Sequence, residues 1–247
     1  MQEALENLLE SAIDDAEMSI RDCFDGFLSE AGEAIEAEAL KRVRKARLRN
    51  FYLNNNIAFV NFFKNIEFAK KIKNENLSAS IMFSSIATES VVMQAIVKPL
   101  IFSSIVNEDL SQLITSEFKK KMNINKAKSY LDTLIKPILG DQFLISSKNV
   151  TYKDKSYNLW NSRVELSSVR NKIAHDGSEC KSENDVEFSI LISEDFKVIA
   201  ISILNEVELC LDEENLIKDA KQASLFDNEE TNENNYPKDV ISGINYS

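Results

Sequence analysis

Only five glycines and three prolines interrupt 247 residues. These are the residues that break helices and build tight turns. A chain so poor in both is constrained to long helices joined by few turns. With 44% hydrophobic residues, it can bury one good-sized core, or one core with an appended helical segment. The expected fold class is all-α.

Hydrophobic periodicity places the elements. Residues 4–28 repeat Leu, Ile, Ala and Phe at spacings of three and four with acids between, the pattern of an amphipathic helix. Ala34 to Lys73 reads as one long helix, or as two that meet near Asn54–Asn56. Ser78 is the expected N-cap of a helix over 79–106. That stretch is apolar on most faces and long enough to span a bilayer. Glu89, Gln94, Lys98 and several serines interrupt it, and a charge at mid-bilayer is costly, so the preferred reading is a central bundle helix kinked at Pro99. Helices follow at about 109–121 and 124–138, then a loop at 141–155 and a helix from Tyr157 to Ala174 with Gly177 just past its end. Asp185–Ile192 alternates weakly, as a short strand or extended loop would, and Ser193 starts a last long helix to about 211. From Phe226 the chain is rich in Asn and Glu without apolar period, the composition of a flexible tail. The expected organisation is an N-terminal helical extension at 1–76, a helical bundle at 77–223 and an acidic tail at 224–247.

Charge narrows the function. The net charge of -11 opposes broad electrostatic attraction to nucleic acid. A nucleic-acid substrate would need a local basic site. The densest basic run is Lys41, Arg42, Arg44, Lys45, Arg47 and Arg49; it is either a contact for phosphates or a solvated helix face near Glu33, Glu36 and Glu38. Lys119–Lys121 is a lesser cluster of the same kind. The three cysteines, at 23, 180 and 210, show no CxxC spacing, which points to buried thiols in a reducing compartment. No basic segment followed by an apolar run opens the sequence, so the expected location is the cytoplasm. No phosphate-cradling glycine loop and no metal-ligand spacing occurs; no cofactor and no metal are expected.

The chain has one histidine, His175, in VRNKIAHDG at 169–177, with Arg170 five positions before it. Histidine moves a proton near neutral pH, and the planar fork of arginine matches phosphate oxygens. On a helical wheel Leu159, Leu166, Val169 and Ile173 form the core stripe, with Arg170 at its edge. Asn171 and His175, four apart, share another face, so Asn171 is placed to orient the ring. Arg170 and His175 stand about 140° apart on a straight helix. Either a helix end near His175 or a second copy of the helix would relieve that angle. The plainer reading is an ion-paired arginine and a histidine that favours the helix dipole.

The stretch LSSVRNKIAHDG resembles the signature of HEPN domains, which is Arg, then four to six residues, then His. Their commonest form has Asn after the Arg and Ala before the His, as at Asn171 and Ala174 here. The upstream SSIATESVVMQAIVKPL (84–100), with its acid Glu89, is similar to their central helix, and the likeness covers about 78–212. It implies a bundle of four or five helices and a metal-independent ribonuclease of prokaryotic defence or toxin–antitoxin systems. Two copies would form a homodimer with facing motifs, with an antitoxin or operon-encoded partner also in prospect. It further implies that Arg170 holds the scissile phosphate, that His175 acts as acid or base, and that Asn171, Asp176 and Glu89 support the site. With one histidine per chain, separate imidazole acid and base roles need two chains. A HEPN-like bundle that only binds a protein or nucleotide is the alternative. Glu89 needs a partner if buried, and Arg170 or Arg163 is the natural one. Trp160, Tyr152 and Tyr157 are either core or base-stacking residues.

Overall fold

The computed structural model describes residues 32–121 and 127–221. The chain divides into two units, Met1–Arg44 and Lys45–Ser247. Of the first, residues 32–44 are described and helical. The expected helix at 4–28 and the acidic tail from 224 lie outside the described residues.

The second unit is an all-α bundle. It begins with helical residues 45–54 (α1), a turn at 55–59 and α2, Val60–Ile72, so the Ala34–Lys73 stretch resolves into two helices meeting where three asparagines stand. Leu48, Tyr52, Phe59, Phe62 and Ile66 belong to the same buried cluster as Ile96, Leu131 and Phe196. The apolar faces of α1 and α2 thus fill a core shared with the later helices of this unit.

The central helix is built in three parts: α3 (Leu77–Ser90), a π-helical segment (Val91–Val97) and α4 (Lys98–Ser104). Its cap is Asn76, whose side chain accepts from the Ala79 N–H at 2.9 Å, while Ser78 Oγ accepts from the Cys180 N–H at 2.8 Å. Leu77–Ser104 is long and apolar enough to cross a membrane, yet 67% of its most apolar window is buried within the protein. Just before Pro99 the chain widens to π geometry over Val91–Val97. Proline lacks an N–H and its ring crowds the carbonyl four residues back, here Ala95. The widened turn relieves that crowding, and the Tyr52 hydroxyl donates to the Ala95 carbonyl at 2.6 Å.

Helices α5 (Glu108–Lys121) and α6 (Ala127–Leu139) follow, the latter ended by Gly140 at φ 92°. The expected 141–155 loop holds two short 3-10 turns and a hairpin of β1 (Asn149–Tyr152) and β2 (Lys155–Asn158), with Tyr152 opposite Lys155. Lys153 and Asp154 adopt positive φ in its turn, a geometry usually signalled by glycine or asparagine, which is why the hairpin is hidden in the sequence. Helix α7 is Leu159–Asp176. Helix α8 is Glu183–Glu206, capped by Ser182. The Asp185–Ile192 segment is therefore helical: its alternation reflects burial on two sides, with Val186, Ser189 and Ile192 facing inward. A second hairpin, β3 (Leu209–Leu211) with β4 (Ile217–Asp219), ends the described chain.

Helices α3 and α8 are locked by hydroxyls. Ser84 and Ser189 Oγ lie 2.7 Å apart, Thr88 Oγ1 and Ser193 Oγ 2.7 Å apart, and Ser193 also donates to the Ser84 carbonyl at 2.9 Å. All four side chains are buried. Their mutual bonding satisfies polar groups that burial would otherwise penalise and sets where Glu89, one residue past Thr88, emerges.

Candidate functional site

Helix α7 is pinned at both ends. Asn158 accepts from the Asn161 N–H at 3.2 Å and donates to the Ser146 carbonyl at 3.0 Å. At the far end Gly177 turns left-handed, φ 65°, and its N–H reaches the Lys172 carbonyl, a conformation glycine takes at little cost.

The inward face of α7 carries Leu159, Trp160, Arg163, Leu166 and Ser167, all buried, and then Arg170, half-buried. Val169, expected on the core stripe, is 41% exposed. The helix turns Arg163 inward and brings Ser167 and Arg170 onto Glu89. Arg170 Nη2 donates to Glu89 Oε1 at 2.9 Å, and Ser167 Oγ donates to the same oxygen at 3.3 Å. Arg170 Nε is buried and has no hydrogen-bond partner among the described residues. Arg163 lies over the Trp160 ring, 4.6 Å from its centroid. Burial pushes the Arg163 guanidinium down to about 10, with the Glu89 carboxylate pulling the other way, so it stays cationic at neutral pH.

His175 lies on the last turn of α7, exposed, as are Asn171 and Asp176. Asn171 and His175 share the outward face as expected, but no hydrogen bond joins them. The structure thus brings Arg170, Glu89, Arg163 and Ser167 together and leaves His175, Asn171 and Asp176 outside that group.

No protein-family model, curated protein or solved structure matches the chain.

Arg170 and Glu89 open onto a cleft of about 440 Å³ between α2, the central helix, α5 and α7, where Asn61, Asn65, Ser90, Gln94, Lys119 and Arg163 complete the wall. Asn61 and Asn65 carry no signal in the sequence beyond a polar face on an otherwise Phe-rich helix, and Gln94 reads there as an interruption of an apolar run. Only the packing of four helices makes them neighbours. Among the described residues, no group of three or more His, Cys, Asp or Glu stands close enough to hold a metal ion.

The aromatic candidates and part of the basic run, Lys45, Arg47 and Arg49, have structural work. Trp160 is fully buried against Phe196, and Tyr152 and Tyr157 pack on Phe188. Arg47 donates to the Phe102 carbonyl at 2.8 Å, Arg49 to the Val207 and Glu208 carbonyls at 3.0 and 3.1 Å, and Lys45 pairs with Glu206. Arg47 and Arg49 thus reach carbonyls at and just past helix ends, at Phe102 in the last turn of α4 and at Val207, the C-cap of α8, and Lys45 holds a carboxylate.

Proposed function

We propose that the chain is a metal-independent endoribonuclease that works as a homodimer in the cytoplasm, in a prokaryotic defence or toxin–antitoxin setting. One observation carries the reading. Arg170 is held by Glu89 on the wall of an open cleft that Ile86 and Met93 also line, and the single histidine stands exposed five residues later on the same helix. The HEPN-like motif supplies the biological setting.

The chemistry follows from the groups. A base takes the proton of a ribose 2′-hydroxyl, and the freed oxygen attacks the adjacent phosphorus. The bond from phosphorus to the 5′-oxygen breaks as an acid protonates that oxygen, leaving a 2′,3′-cyclic phosphate and a 5′-hydroxyl. The Arg170 fork neutralises charge building on the phosphoryl oxygens. His175 is the proton carrier. Arg170 turns inward while His175 turns outward, so the arginine of one copy and the histidine of the other must meet across a two-fold axis for both to reach one phosphate.

A second reading has its own observation: Arg170 already has a carboxylate partner, and Glu89 ties α3 to α7, as a purely structural pair in a binding module would. Incubating the purified protein with total RNA in EDTA, beside His175→Ala and Arg170→Ala, separates the two. Cleavage by the wild type alone, with cyclic phosphate ends and both variants folded, is the expected result. Folded wild type that leaves RNA intact as a dimer and with its cell extract supports the binding module. A monomer by light scattering at working concentration rules out the composite site.

A further inference from the structure

The cleft beside Arg170 has a second feature. Among the described residues that line it, Lys119, Arg163 and Arg170 are cations and Glu89 is a carboxylate, in a chain of net charge -11. Lys119 is exposed and makes no ion pair among the described residues, whereas its neighbour Lys120 is paired with Glu117 at 2.6 Å. Gln94 is the one exposed residue of Val91–Val97; the other six are buried. The π turn that accommodates Pro99 thus rolls a carboxamide out into the cleft. Asn61 faces it from α2. A carboxamide carries donors and an acceptor in one plane, the complement of a base edge. Unstacked bases of single-stranded RNA present such edges, while a duplex hides them. A cleft of about 440 Å³ falls within the range of small-ligand pockets.

We infer that this cleft is a specificity subsite. It receives one unstacked nucleotide of single-stranded RNA beside the cleaved linkage, with Lys119 on its phosphate and the Gln94 and Asn61 carboxamides on its base edge. The inference rests on the ribonuclease reading and adds to it a reason for sequence preference.

The test measures binding of short fluorescent oligo-A, oligo-C and oligo-U to the full chain carrying His175→Ala, which blocks cutting. Added Lys119→Glu is expected to weaken all three by about tenfold and to flatten the salt dependence by about one charge. Added Lys120→Glu is expected to change binding less than about threefold. Added Gln94→Ala is expected to shrink the spread between the best and worst oligomer by about fivefold or more, with the mean nearly unchanged. Equal weakening by the two lysine variants, an unchanged spread in Gln94→Ala, or no RNA binding at all overturns the subsite. The two readings fail separately. Cleavage of RNA by wild type with Lys119→Glu and Gln94→Ala indistinguishable from it sinks the subsite and leaves the ribonuclease. Lys119-dependent, base-selective binding without cleavage sinks the ribonuclease and leaves the subsite.

Discussion

Glu89 serves two donors at once. Its Oε1 accepts from Arg170 at 2.9 Å and from Ser167 at 3.3 Å, and its charge also favours the buried Arg163 cation. Glu89→Gln keeps the shape and one acceptor but removes the charge that pairs with the Arg170 guanidinium. A charge-assisted bond contributes about 1.5–3 kcal/mol when well shielded, and the side chains of this pair are 27% and 33% exposed. The expected loss of stability is therefore about 1 kcal/mol, read by urea denaturation. On the proposed ribonuclease reading, RNA cleavage should fall by far more than that fraction of folded protein, since Arg170 loses its fixed orientation. Activity that tracks only the folded fraction would show that Glu89 does no positioning.

At the scale of elements, the central helix shows how one proline is absorbed. Pro99 cannot donate to the Ala95 carbonyl, and the Tyr52 hydroxyl does so instead from α1. That phenol is fully buried, and burial pushes its pKa far above the ordinary value, so it is a permanent donor. Tyr52→Phe should cost about 1–3 kcal/mol because a buried carbonyl loses its partner. The cost should shrink when Pro99→Ala restores an N–H, a coupling that a double-mutant cycle in denaturant measures. Additive losses would show that the two residues act independently.

The pairing of α2 with α8 responds to pH. Glu194 lies between Lys70, at 2.6 Å, and Lys197. Burial alone would raise its pKa, but the hydrogen bonds and charges of Lys197 and Lys70 outweigh it and hold the carboxyl below its ordinary range. With the folded value depressed, its contribution is fully present above the unfolded value of 4.5 and drains away as pH falls through the folded one. Asp195 runs the other way: burial and the Glu194 charge raise it, so its protonation relieves the fold on acidification. Wild type is therefore expected to lose more stability than Lys70→Met between about pH 5 and about pH 3. Parallel stability curves would refute the role of the lysine.

Over the whole molecule, the distribution of cations decides where RNA could bind. The net charge is -11, and Arg47 and Arg49 are spent on helix ends and on Asp219. Arg49→Ala should destabilise the protein by about 2 kcal/mol, since it strips the Val207 carbonyl and the Asp219 carboxylate of a donor, while leaving any RNA affinity of the folded protein, on the proposed reading, unchanged. Weaker RNA binding at unchanged stability would return the basic run to the interface.

The scarcity of glycine and proline and the three- and four-residue periods were enough to determine an all-α chain and most helix positions, because helix propensity and one-sided burial are local properties. Gly177, Asn54–Asn56 and the Arg170–His175 spacing were legible for the same reason. Other features depend on what packs against what. Arg170 or Arg163 was the expected partner of Glu89, and packing decided for Arg170; the exposure of Val169 follows from that inward turn. The helical state of Asp185–Ile192 follows from its burial between elements, and the hairpin at 149–158 from a turn without glycine. The role of Arg47 and Arg49 follows from helix ends more than fifty residues away in sequence. The Asn61, Gln94 and Lys119 wall comes from three helices. No spacing rule reports a neighbourhood that only the folded bundle creates.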